Sequence, residues 1–192
     1  MVGWIKPAVF IACVAPFGLL VYGAFSAGLG PDPAETLMLV TGEWALRFLL
    51  LTLAVTPLRK LSHWQWPIRF RRMLGLFAFF YACVHLVTFG QFFIGWNGGR
   101  ALEEVVKRPY ITVGVMAWLL LLPLALTSTR GMQRRLGRNW RRLHQLVYPA
   151  LVFACVHLAW QVRSDYGEAL VYCLLAGGLL LFRLWPRIRA RA

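Results

Sequence analysis

Six apolar stretches of about 17 to 21 residues constrain this chain more than any other feature of its sequence. A transmembrane α-helix needs about 20 such residues to cross a hydrocarbon core about 30 Å thick. Because 59% of the 192 residues are hydrophobic and the connections are short, the sequence predicts one domain, 1–192. The predicted fold is all-α, a polytopic six-helix transmembrane bundle. Its spans are placed near 7–27, 44–60, 73–94, 110–128, 143–162 and 168–186.

Basic residues are distributed unevenly between the two ends of the predicted spans. Lys6, the 59–72 loop, the 130–142 loop and the 183–191 tail hold 16 positive charges and no acidic residue. The opposite loops hold the other five basic residues and all seven acidic residues. Since Lys and Arg favour the cytoplasmic side of short loops, both termini are predicted to be cytoplasmic. The formal charge of +14 therefore indicates topology. Membrane lipid is the expected contact, and no nucleic-acid partner is predicted.

Histidines are the main ionisable residues inside the predicted spans: His85 in the third, and His144 and His157 in the fifth. An ionisable side chain within a membrane is costly and is interpreted first as functional. The third and fifth helices run in the same direction, and His85 and His157 are predicted at similar depth in the outer half. Two facing imidazoles at one depth are what a bis-histidine haem requires. The alternative is a pair of hydrogen-bonded histidines that only stabilise the bundle.

The inner level of the same two helices is less regular. His144 lies at the inner end of the fifth helix, and its counterpart on the third is Arg71, fourteen residues before His85. On a straight helix, His144 and His157 would point to different faces. Pro149 lies between them and removes a backbone hydrogen bond, so it predicts a distortion that could align the two histidines. Arginine stays protonated and is therefore a poor iron ligand. Arg71 is interpreted as a partner for haem propionates or lipid phosphate. The alternative is an iron ligand, which would require a site of low dielectric constant. His144 is either an iron ligand or an interfacial histidine.

Two further features are assigned a role from residue type alone. The 95–109 loop is expected to be a solvated connector, with contact to an external partner as the alternative. Four glycines inside the spans are predicted to let a helix or a macrocycle approach closely, although small residues at helix contacts explain them equally well. These glycines are Gly75, Gly114, Gly177 and Gly178.

A family resemblance rests on two segments, RRMLGLFAFFYACVHL and RLGRNWRRLHQLVYPALVFACVHL. They resemble the ferric-reductase-like transmembrane family, and the likeness extends over all six spans. Within that family the chain is most similar to haem-binding membrane subunits of bacterial methionine sulfoxide reductase systems. The resemblance implies haem b, one or two per chain, FMN, and a multi-pass location in the bacterial inner membrane. On it, His85, His144 and His157 fall on the family's haem histidines, and Arg71 replaces a fourth histidine of larger relatives.

The resemblance also implies a function. The chain would pass electrons from the quinone pool or a cytoplasmic flavin reductase to a periplasmic molybdopterin methionine sulfoxide reductase, which repairs oxidised periplasmic proteins. It would itself be a non-catalytic electron-transfer subunit. No GxGxxG nucleotide motif occurs before Ala192, so a separate electron donor is expected, and no residue pattern identifies an FMN site. Two alternatives stay open: a stand-alone membrane ferric or quinone reductase, and a haem-free transporter or assembly protein.

Overall fold

The computed structural model describes residues 2–26, 28–162 and 166–189, with side chains for 4–26, 28–162 and 166–183. Within those residues the chain is helical and contains no strand, which confirms the all-α prediction. A 3₁₀ turn at Trp66–Arg69 precedes α3, a π turn at Gly90–Ile94 follows it, and a second 3₁₀ turn at His144–Leu146 separates α7 from α8. The helices are α1 (Val2–Phe25), α2 (Pro33–Ser62), α3 (Arg71–Phe89), α4 (Gly98–Lys107), α5 (Pro109–Leu126), α6 (Arg130–Leu136), α7 (Arg138–Leu143), α8 (Val147–Gln161) and α9 (Gly167–Arg189).

The long helices have the length and composition of membrane spans. Five segments in the described part of the chain qualify: Trp4–Phe25, Pro33–Ser62, Arg71–Ile94, Pro109–Leu126 and Arg138–Gln161. The 23-residue α9 is a further apolar helix and corresponds to the sixth predicted span. The chain is therefore a multi-pass helical membrane protein. The cytoplasmic position of the termini and the single domain 1–192 stay predictions. Ala27, Arg163 and Asp165, used in assigning the first span and the outer charges, lie outside the described residues.

The predicted start of the second span was wrong, and the error amounts to about one-third of the length of the helix. α2 begins at Pro33, not near residue 44, and runs for 30 residues. Asp32 caps it, because its Oδ1 accepts a hydrogen bond from the Glu35 amide at 2.9 Å, and Pro33 occupies a position where its missing N–H costs nothing. An apolar stretch marks only the part of a helix that suits the hydrocarbon core. Polar capping chemistry decided where this helix begins.

The 95–109 connector contains no buried residue in its helical part, which agrees with a solvated connector, and most of it forms α4. Asn97 caps this helix by accepting a hydrogen bond from the Arg100 amide at 3.0 Å. Leu102 and Val106 are four residues apart and exposed, and Lys107 pairs with Glu103 one turn earlier on the polar side. Such an amphipathic helix suits a membrane surface, so this segment is an ordered part of the outer end of the bundle.

Two helix pairs form the centre of the bundle. α2 packs along α3, and α5 packs along α8, in the two most extensive helix contacts of the described chain. Leu53, Tyr81, Ala150 and Leu151 of these helices are almost completely buried in the core. α3 and α8, in contrast, make few close backbone contacts with each other. The side chains of α3 and α8 that meet therefore do so across a gap between the two pairs.

Candidate functional site

His85 of α3 and His157 of α8 meet across this gap. Their ring centroids are 6.1 Å apart and the ring planes are inclined by 79°. Nδ1 of His85 lies 2.9 Å from the Met38 carbonyl oxygen, and Nδ1 of His157 lies 2.7 Å from that of Tyr110. A carbonyl only accepts hydrogen bonds, so both Nδ1 atoms carry the proton. In a neutral imidazole this leaves the lone pair on Nε2, and neither Nε2 atom has a hydrogen-bond partner among the described residues.

A glycine on the neighbouring helix makes room for each ring. A Cβ added at Gly42 of α2 would lie 3.1 Å from two ring atoms of His85. A Cβ added at Gly114 of α5 would lie 2.8 Å from Nδ1 of His157. Each glycine comes four residues after the carbonyl that accepts the histidine's hydrogen bond, so each imidazole lies against a helix backbone and is held there by that bond.

The predicted glycine contacts are therefore confirmed at Gly114 only. Gly75 makes an ordinary contact with Thr52 at 3.5 Å, and Gly177 and Gly178 face open space within the described structure. Gly42 was not among the glycines predicted from the sequence. A repeated spacing in the sequence could have identified Gly42. Met38 precedes His85 by 47 residues, and Tyr110 precedes His157 by the same 47 residues. This repeat of a carbonyl, a glycine and a histidine relates the α2–α3 pair to the α5–α8 pair.

The histidine pair fits an iron porphyrin held between two axial ligands. A metal–imidazole bond is about 2 Å long and the ring centre lies about 1 Å further back, so two axial imidazoles have centroids about 6 Å apart. The observed separation is 6.1 Å. A hydrogen bond from the distal N–H to a backbone carbonyl is also the usual outer support of a metal-binding histidine. The pairing of the two rings predicted from sequence is present, and iron binding by them is a proposal taken up below.

His144 lies apart from this pair, in the 3₁₀ turn before α8. The turn agrees with the distortion predicted from Pro149, which has no N–H to donate to a carbonyl one turn earlier. The His144 ring packs on Trp140 with centroids 3.9 Å apart. Its Nε2 lies 3.4 Å from Thr127 Oγ1, and that hydroxyl donates its proton to Pro123. The His144 contact is long, so it would be given up at low cost for another partner.

Arg71 and Arg183 give the inner level a strongly positive character. The half-buried Arg71 is close enough to His144 and to Arg183 for its charge to act on both. Arg183 donates to the Tyr148 hydroxyl at 3.0 Å and to the Leu53 carbonyl at 2.8 Å, while its buried Nε has no partner among the described residues. Arg183 was predicted only as a charge of the C-terminal tail, although it lies inside a long apolar run of the sequence. Because the loops on this side of the bundle contain no Asp or Glu, the cluster suits an anionic group.

Two acidic residues, Glu43 and Glu168, share one cationic partner, Arg47. Arg47 of α2 donates to Glu43 at 2.8 Å and lies 3.5 Å from Glu168 of α9. Its Nε donates to the Tyr172 hydroxyl at 2.6 Å. This network ties α9 to α2 through Arg47.

Comparison with known proteins identifies the family of the chain. Residues 41–155, from α2 to α8, match the ferric reductase like transmembrane component family. A protein from Xanthomonas euvesicatoria pv. vesicatoria named protein-methionine-sulfoxide reductase heme-binding subunit MsrQ is 50% identical over 97% of this chain and 88% of its own length. A protein of the same name from Herminiimonas arsenicoxydans is 47% identical over 94% of this chain and 84% of its own. No solved structure matches the chain. The chain therefore belongs to the ferric reductase-like transmembrane family and, within it, to the group whose members are named MsrQ.

Proposed function

We propose that this protein is the haem-binding subunit of a protein-methionine-sulfoxide reductase and that it carries electrons across the bacterial inner membrane. The observation that supports this most directly is the His85–His157 pair, with centroids 6.1 Å apart and both Nδ1 atoms bound to backbone carbonyls. When bound there, haem b supplies a one-electron Fe(III)/Fe(II) couple. The subunit itself performs no substrate chemistry.

The chain's own residues orient the two histidines. Met38 and Tyr110 fix the tautomer of each histidine, so that Nε2 presents its lone pair to the gap between α3 and α8. Gly42 and Gly114 let the rings lie against α2 and α5, which limits their rotation. A ligand that is fixed before iron binds loses little entropy on binding, and its orientation is the same in both oxidation states.

For the inner level we propose a second haem with His144 as its single protein ligand. Arg71 is assigned to the carboxylates of that macrocycle and not to its iron, because a guanidinium has no lone pair to donate. Arg183, with its unpartnered Nε, adds positive charge at the same level. Two haems, one near each face, would divide the passage across the bilayer into shorter steps.

The proposed acceptor is a periplasmic molybdopterin methionine sulfoxide reductase (MsrP), and the proposed donor is the quinone pool or a cytoplasmic flavin reductase. The charge distribution favours this direction, because it places the His85–His157 pair in the outer half of the membrane. Methionine sulfoxide takes up two electrons and two protons to give methionine and water, so the subunit must turn over twice for each repair. FMN is included by resemblance only, and a flavin assay of the purified protein tests it.

The experiment is a reoxidation assay on the purified protein in detergent. The protein is reduced chemically, and its haem bands are followed after the periplasmic reductase and methionine sulfoxide are added together. Reoxidation that requires both additions is expected. Reoxidation by a ferric chelate or a quinone, but not by the reductase with its substrate, would instead identify a stand-alone reductase. A protein produced with sufficient haem that shows no Soret band would contradict haem binding altogether and favour a transporter or assembly protein.

A further inference from the structure

A cavity of about 600 Å³ lies between α1 and α3. Most of its walls are apolar and include the rings of Phe10 and Phe77, which pack edge to face with centroids 5.4 Å apart. Three cations, Lys6, Arg69 and Arg72, line the cavity together with these apolar side chains. We call this cavity the α1–α3 groove. Its volume falls within the range of about 300–1,000 Å³ that is usual for small-ligand sites.

The three cations of the groove have no partner within the part of the chain that the structure describes. None of Lys6, Arg69 and Arg72 makes a side-chain hydrogen bond or an ion pair with another described residue, and no acidic residue lines the groove. By contrast, Arg47, on the outer side, is paired with carboxylates. An unpaired positive cluster beside an apolar cavity favours a ligand that has a negative group and an apolar body.

The order of these residues along the helices agrees with such a ligand. α1 and α3 are separated by one span, so both begin at the same membrane face. Phe10 follows Lys6 by four residues and Phe77 follows Arg72 by five, which places the rings roughly 6–8 Å deeper in the membrane than the cations. The cations therefore lie at headgroup level, and the rings lie at the level of acyl chains.

We propose that the α1–α3 groove binds an anionic phospholipid, with its phosphate at Lys6, Arg69 and Arg72 and an acyl chain along Phe10 and Phe77. A soluble anion would leave the apolar walls uncovered. A quinol would need a group that accepts its protons, and lysine and arginine are already protonated. The proposal does not depend on haem binding, because neither His85 nor His157 lines the groove.

The test uses the full-length protein, stripped of lipid in a neutral detergent. An equal mixture of phosphatidylglycerol and phosphatidylcholine with the same acyl chains is added, and the bound lipid is counted by native mass spectrometry. One retained phosphatidylglycerol is expected. The double substitution Arg69→Gln/Arg72→Gln should weaken its binding about 30-fold, since each basic residue near an anionic lipid surface contributes about fivefold. The matched control is Arg134→Gln/Arg135→Gln on α6, which removes two exposed charges outside the groove and should leave the affinity unchanged.

A second substitution tests the acyl-chain part of the groove. Leu76→Trp fills the groove without changing its charge and should abolish retention of the lipid. Equal retention of phosphatidylcholine would overturn the proposal even if no variant folds. So would full competition by inorganic phosphate, which indicates an anion site only, or displacement by a quinone analogue. An unchanged affinity in the Arg69/Arg72 variant would also overturn it.

Discussion

His157 lies so close to α5 that only a glycine fits opposite its ring. In Gly114→Ala the new methyl group would lie 2.8 Å from Nδ1, so the ring must rotate and break its hydrogen bond to Tyr110. We expect haem affinity to fall at least about tenfold, as is usual when the outer support of a metal ligand is lost. Haem titration followed at the Soret band measures this. The control Gly178→Ala faces open space on α9 and should bind haem normally.

The two histidines are expected to act as a unit. His85→Ala or His157→Ala should each remove the low-spin spectrum of the outer haem completely, because one axial ligand cannot maintain six-coordinate iron. Added imidazole should restore the low-spin bands in either variant. Electron paramagnetic resonance and visible spectroscopy make the measurement. Low-spin haem that persists in both variants without imidazole would exclude the pair as axial ligands.

Arg71 should affect only the inner level. Arg71→Ala is expected to leave the outer low-spin bands unchanged and to lower the haem-to-protein ratio by about one haem, because a carboxylate partner worth about 1.5–3 kcal/mol is lost. The control Arg134→Ala removes an exposed charge from α6. Identical haem content in Arg71→Ala and in the control would limit Arg71 to a contact with lipid phosphate.

At the scale of elements, Tyr81 joins α3 to α1, because its hydroxyl is inserted between two backbone groups of α1. Its hydroxyl accepts from the Phe17 amide at 3.0 Å and donates to the Cys13 carbonyl at 2.9 Å. In an unbroken helix these two backbone groups would bond to each other. The hydroxyl is inserted next to Pro16, which already interrupts the ladder.

Removing that hydroxyl should therefore loosen α1. Tyr81→Phe is expected to cost about 1–3 kcal/mol, because two buried backbone groups lose their partner. Thermal unfolding in detergent, followed by circular dichroism, measures the loss. The control Tyr22→Phe alters a tyrosine of α1 that is 71% exposed and should unfold at the wild-type temperature. Equal unfolding temperatures for all three proteins would show that the Phe17 amide and the Cys13 carbonyl of α1 bond to each other when the Tyr81 hydroxyl is absent.

Hydropathy predicted the existence of the long helices but not all of their ends. The segment Arg71–Ile94 agrees with its predicted span, since the hydrocarbon core fixes the length of an apolar run. α2 starts well before its apolar stretch, and α4 is too polar to stand out as a span. Both begin at a capping side chain, Asp32 or Asn97, and a cap is recognised only when the next residues are already known to be helical.

At the scale of the whole molecule, the basic residues predict one orientation. Six crossings would place both termini on one side, and the 16 unopposed positive charges predict that this side is cytoplasmic. A C-terminal fusion to green fluorescent protein should be fluorescent, and alkaline phosphatase fused at residue 97 should be active. Since the first protein folds in the cytoplasm and the second only outside it, the reverse pattern would invert the proposed path of electrons.

The sequence by itself determined the all-α class of the fold and its long apolar helices, and it predicts the orientation in the membrane and the depth of the two central histidines. Each of these follows from a one-dimensional quantity: the length of an apolar run, the count of charges in a loop, or the distance of a residue from the end of a helix. It also indicated that Pro149 would distort the fifth span, because a missing N–H is a property of the residue type.

Only the tertiary structure decided which residues support the site. Gly42 and Met38 contact His85 only because α2 packs along α3. The charge of Arg183 acts on Arg71 only because α9 returns to the same end of the bundle. These contacts join residues far apart in sequence. Their free energy depends on helix–helix geometry, which residue type and spacing leave undetermined until the bundle has packed.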